Sequence, residues 1–178
     1  MESIDLGLLA LRVAVGGVFV GHGVVKFTER FGGLGLSRAT TVFEQIGYRP
    51  ARPFLVAAGI TELLAGAALL VGVATPLATA ALVGVMVNTI GSSKLGKGPW
   101  YFNGGWEYDL TLLVAALALG FAGPGEASVD VAVGLDVAGW GQGIAALALG
   151  LLSGLVVLGL RARVARRAPA GIVAGEAA

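Results

Sequence analysis

The chain alternates long apolar runs with short polar ones. Five runs stand out, at residues 6–25, 54–73, 77–90, 106–121 and 140–160. A helix needs about 20 apolar residues to cross the hydrocarbon core of a bilayer. The runs are therefore predicted as spanning helices, the third and fourth of them short. The connections carry the expected punctuation. Residues 26–53 are polar, with Gly32, Gly33, Pro50 and Pro53. Within them, 37–46 is predicted as a short interfacial helix, capped by Ser37, Thr40 or Thr41, with Val42, Phe43 and Ile46 toward the bilayer. Ala74-Thr75-Pro76 reads as a tight turn with the proline starting the next helix. Gly123-Pro124-Gly125 stops the fourth run, and an acidic connection, 126–138, leads to the fifth. The predicted fold is an all-α membrane protein: a core over 1–138, an additional transmembrane helix over 139–161, and a basic then disordered tail over 162–178.

Composition agrees. The chain is 56% hydrophobic and 13% charged, where a soluble domain is about 25% charged. The absence of Cys excludes disulfides, thiol redox catalysis and Cys-ligated clusters within the chain. A single histidine, His22, excludes a bis-His haem and argues against a His-based metal site. A net charge of +1, with no basic patch interleaved with aromatics, gives no sign of nucleic-acid binding. The first residues, Met1-Glu2-Ser3-Ile4-Asp5, are acidic where a signal peptide is basic, so the first run is read as retained.

Charge placement predicts the topology. Besides Arg12 there are eleven Lys and Arg: five between Lys26 and Arg52, two at Lys94 and Lys97, four from Arg161 to Arg167. With five spans all eleven fall on one side, which the positive-inside rule makes cytoplasmic. The N-terminus is then outside and the C-terminus inside. Four spans would put the tail arginines opposite the other basic loops.

Two charges lie deep within the runs, away from their ends. Arg12 and Glu62 sit on consecutive antiparallel helices, and each bare charge at depth costs about 2.5–3.5 kcal/mol or more. They are expected to pair. The pair fixes helix register in one reading; Glu62 carries protons in the other. The neighbours Ala58, Gly59, Ala65 and Gly66 are small, so another helix can approach closely.

A second group gathers at the cytoplasmic end. His22 and Lys26 share a face of the first helix. Asn88 reaches that end on the third, and the stretch 99–110, Pro-Trp-Tyr-Phe-Asn-Gly-Gly-Trp-Glu-Tyr-Asp-Leu, brings an unusual density of aromatics and two acids. The candidate ligand-binding residues are His22, Lys26, Asn88, Trp100, Tyr101, Trp106 and Glu107. Each taken singly is equally an interfacial residue: Lys26 snorkelling outward, Trp100 and Tyr101 in an aromatic belt. Glu107 is expected to point inward and Asp109 to serve the helix end, where the dipole favours an acid.

Four pieces together resemble the DoxX family of small bacterial membrane proteins: Gly21-His22-Gly23-Val24-Val25-Lys26-Phe27, Gly59-Ile60-Thr61-Glu62-Leu63-Leu64-Ala65-Gly66, Gly104-Gly105-Trp106-Glu107-Tyr108-Asp109, and Gly123-Pro124-Gly125-Glu126-Ala127-Ser128-Val129-Asp130. The resemblance implies a four-helix transmembrane bundle, here extended by a fifth C-terminal transmembrane helix. It also implies a link to thiosulfate:quinone oxidoreduction or oxidative-stress defence. Without Cys, sulfur chemistry through a persulfide has no place in this chain. The expected function is a membrane subunit of a redox or oxidative-stress-linked system, with a quinone-like small molecule as the candidate ligand at the cytoplasmic side of the bundle and no cofactor otherwise assigned. The alternatives are a non-catalytic anchor for a soluble protein and, third, a small transporter using Arg12 and Glu62. The expected partners are the bilayer, a soluble redox protein or a second copy of the chain.

Overall fold

The computed structural model describes residues 2–135 and 137–167; the tail beyond 167, for which disorder is expected, lies outside them. Every long element is a helix: α1 (Ser3–Phe27), α2 (Gly35–Gln45), α3 (Ala51–Val71), α4 (Thr75–Thr89), α5 (Glu107–Ala122), the single turn α6 (Val129–Ala132) and α7 (Trp140–Arg167). Among the described residues, four helices are long and apolar enough to cross a membrane: Ser3–Phe27, Ala51–Val71, Thr75–Lys97 and Trp140–Val164. The third runs past the end of α4, because the chain continues through a wide π turn at Ile90–Lys94 and a 3-10 turn at Leu95–Lys97. At 16 residues, α5 is about 24 Å long, shorter than the others and short of a full hydrocarbon core.

α1, α3, α4 and α5 close a ring, and α7 lies along the outside of α4 and α5. The ring's core is Val15, Phe19, Leu69, Leu82, Met86, Ala116 and Leu119. Glycines set the closest approaches. A Cβ on Gly16 would come within 2.6 Å of the Gly66 carbonyl oxygen, and one on Gly23 within 2.9 Å of that of Gly59. α7 meets α4 in the same way: a Cβ on Gly154 would lie 2.8 Å from the Gly84 oxygen, and one on Gly150 2.9 Å from the Ala80 oxygen. Lipid tails are as apolar as leucine, so close van der Waals packing through small residues is what holds membrane helices together. The helix at 139–161, expected as an addition to a core, is longer than predicted and is bound into the bundle through these contacts.

The glycine register also decides the buried charges. Gly16 faces Gly66 and Gly23 faces Gly59, which places Arg12 beside Leu70. Glu62 is eight residues further along α3, about 12 Å away. The expected Arg12–Glu62 pair therefore does not form. Arg12, 1% exposed, donates to the carbonyl oxygens of Pro124 at 2.6 Å, Ala127 at 2.7 Å and Leu70 at 3.4 Å. Glu62, 2% exposed, is met by Lys26 at 2.5 Å. Lys26 turns inward to reach it rather than outward to the interface, and its ammonium also lies 3.4 Å from the His22 carbonyl.

α2 forms near its expected place, but Ser37 lies inside it and gives no cap. Phe43 packs on Tyr48 with ring centroids 5.2 Å apart, and so faces the protein instead of the bilayer.

Candidate functional site

The two ends of the bundle differ. One end holds Asp5, Arg12 and the connection from Gly123 to Asp130. Here side chains bond backbone. Asp5 accepts from the Glu126 N–H at 3.0 Å and the Glu2 N–H at 2.7 Å. Asp130, buried, accepts from the N–H groups of Ala74 at 2.8 Å and Thr75 at 3.0 Å. These are free donors of the first turn of α4, and Ala74 is in the left-handed region at φ 48°, a strained conformation for a residue with a Cβ. Asp130 thus caps a helix that begins 55 residues earlier.

At the other end side chains bond one another and leave room between them. His22 from α1, Lys94 from the π turn, Tyr101 from the loop, and Glu107, Tyr108, Asp109 and Thr111 from α5 line one open cavity of about 760 Å³. The His22 and Tyr108 rings stack 6.1 Å apart, with Tyr108 Oη 3.5 Å from His22 Nε2. Tyr101 leans over Tyr108 at 6.1 Å. Lys94 and Asp109 pair at 2.6 Å in the wall, so this acid and base bring no net charge. The wide turn at Ile90–Lys94 positions Lys94; such π turns are frequent at functional sites.

Of the expected ligand-binding residues, His22, Tyr101 and Glu107 come together here. Lys26 is engaged with Glu62. Asn88 lines a separate cavity, where its Oδ1 accepts from the Tyr48 hydroxyl at 2.7 Å. Trp100 is exposed and stacks on Phe102. Trp106 sits at the start of α5 without lining the cavity. Glu107 lines the cavity as expected, but Asp109, expected at the helix end, lines it as well. Asp109 is buried at 3% exposure, while Glu107 turns back to accept the Tyr101 N–H at 2.7 Å. Sequence reasoning missed Tyr108, Thr111 and Lys94. Tyr108 stood in the quoted stretch, four residues before Leu112 of the core; Lys94 carried no signal, because its position depends on the wide turn.

Residues 7–95 match the family model described as DoxX, and the chain belongs to the DoxX family. That match covers α1 to α4 and the turn bearing Lys94; α5 and α7 lie beyond it. The Bacillus subtilis (strain 168) protein named "Putative oxidoreductase CatD" is 30% identical over 129 residues, covering 72% of this chain and 88% of that protein. The Mycobacterium tuberculosis (strain ATCC 25618 / H37Rv) protein named "Uncharacterized membrane protein Rv3486" is 31% identical over 133 residues, covering 69% and 78%. No solved structure matches the chain significantly.

Proposed function

We propose that this is a multi-pass membrane subunit of a redox system, and that the cavity between α1, α5 and the Tyr101 loop takes a quinone-like molecule. The observation that carries the reading is the His22–Tyr108 stack in the wall of an open cavity at the end of an apolar bundle. A quinone is a flat ring with carbonyl acceptors at opposite edges. It needs aromatic walls and a few donors within a largely apolar site. Tyr108 and Tyr101 supply rings and hydroxyls; His22 and Lys94 supply nitrogen donors. The name of the Bacillus relative points to redox work as well.

The five-span arrangement belongs to the same proposal. α5 crosses a locally thin region, as a span shorter than the bilayer can. The end bearing Lys26, Lys94 and Arg161 then faces the cytoplasm of a bacterial inner membrane, with the N-terminus outside.

A titration of the detergent-purified protein with a soluble quinone analogue tests the site. His22→Ala and Tyr108→Phe should each weaken binding about tenfold, the value of roughly one hydrogen bond. Folded variants that bind like the wild type would sink the reading. A second reading, an anchor for a soluble protein, is favoured by the exposed Phe102 and Trp100 beside Lys97 at this end. A pull-down that recovers one soluble protein, lost when Trp100 and Phe102 become Ser, would favour it instead.

A further inference from the structure

The second cavity at the basic end belongs to no part of the proposed redox site. It is a cleft of about 270 Å³ between α3, α4 and α7. Ala58 and Thr61 of α3, Ala81 and Val85 of α4, and Val157 of α7 are among its walls. The volume falls below the usual range for a compact ligand, about 300–1,000 Å³. Its shape is that of a channel along the helices: on α4 it runs from Ala81 to Asn88, seven residues or about 10 Å. Its inner part is apolar and its basic end is polar, where the Tyr48 hydroxyl and Asn88 meet.

Arg161 does not line the cleft itself but stands beside Tyr48, which does. Its Nε donates to the Ile46 carbonyl at 2.6 Å, and its guanidinium lies 5.8 Å from the centre of the Tyr48 ring. These contacts fix the plane of the guanidinium. Among the described residues, its two terminal nitrogens have no hydrogen-bond partner. A half-buried arginine held this way presents a fork suited to phosphate.

We infer that this cleft is a binding site for one anionic phospholipid, with an acyl chain running inward between α3 and α7 and the phosphate on Arg161. The channel runs along the helices, as a chain lies in its leaflet, and the Arg161 guanidinium stands just beyond its Tyr48–Asn88 end. A quinone tail would fit the walls but would leave Arg161 without an anion. Basic side chains beside the membrane attract anionic headgroups individually.

Native mass spectrometry of the full chain in detergent, with equimolar phosphatidylglycerol and phosphatidylcholine, tests this. The wild type should retain one phosphatidylglycerol in about fivefold preference over phosphatidylcholine. Inorganic phosphate in excess should not displace it, because the chain contributes to binding. Arg161→Gln should bring the preference near unity, and Ala58→Leu, which fills the channel, should abolish retention of both lipids. A wild type without preference, or an Arg161→Gln protein that keeps the wild-type preference, would overturn the inference. So would retention by a folded Ala58→Leu protein or displacement by phosphate. If Ala58→Leu does not fold, the Arg161→Gln ratio decides alone.

Discussion

Both ends of this bundle bury charged side chains, and they use them differently. At the acidic end Asp5, Arg12 and Asp130 bond almost entirely to backbone N–H and carbonyl groups of loops and helix starts. At the basic end Lys26 meets Glu62 and Lys94 meets Asp109, side chain to side chain. Backbone partners have fixed positions, so the acidic end is a fixed seam, with an open cleft of about 510 Å³ beside Asp5 and the connection from Gly123 to Glu126. Side-chain pairs can separate and exchange partners, and the cavity beside His22 and Tyr108 has one such pair, Lys94 and Asp109, in its wall. The difference teaches that a buried charge in such a protein need not mark a site; the nature of its partner matters more.

The sharpest way to break the comparison is by topology, since the outcome is all or nothing. A fluorescent protein that matures only in the cytoplasm, fused after the C-terminus, should be bright. A dark, fully expressed fusion would place the basic end outside and undo the five-span reading. Next in size is Lys26→Met, which strands the Glu62 carboxylate. Removing one partner of a buried pair costs about 3–5 kcal/mol, read as a large fall in melting temperature in detergent. Adding Glu62→Leu should recover most of it. If the double variant is worse than the single, the carboxylate has a second partner.

Asp130→Ala should cost about 2 kcal/mol, the upper range for a lost helix cap, while leaving quinone-analogue affinity at the other end unchanged. A change in affinity would show that the two ends are coupled. The smallest effect belongs to Lys94→Gln. Lys94 is partly exposed, so the loss should be about 1 kcal/mol, but analogue binding should weaken as well. Lost stability with full binding would make the pair a helix tie only.

Much of this was legible in the sequence. The helices fall near their predicted places because hydrophobic runs and Gly–Pro punctuation report directly on span length and turns. Pairing across helices was not. Periodicity tells which residues share a face; it says nothing of how far one helix slides along another. Arg12 was assigned to Glu62 because both stand within consecutive runs, whereas close packing at Gly16–Gly66 and Gly23–Gly59 sets a register that separates them. The clue was present, since each helix carries two glycines seven residues apart. The unexpected burial of Asp109 has a similar origin. Two acids two residues apart point in opposed directions, and the start of α5 decides which is buried. Where α4 gives way to the π turn was not readable either, and with it went Lys94.

The packing of α7 on α4 has a consequence for the order in which the molecule is made. Gly84 and its contact Gly154 are separated by 70 positions in the chain. At a synthesis rate of about 5–20 residues per second, α4 waits roughly 4–14 s for its partner. During that interval the face bearing Ala80, Val83 and Gly84 meets lipid tails, which must leave before the glycines can touch. The finished contact is tight where the glycines stand and open toward Asn88. The cleft there is thus the portion of an earlier lipid-facing surface that the last helix leaves uncovered.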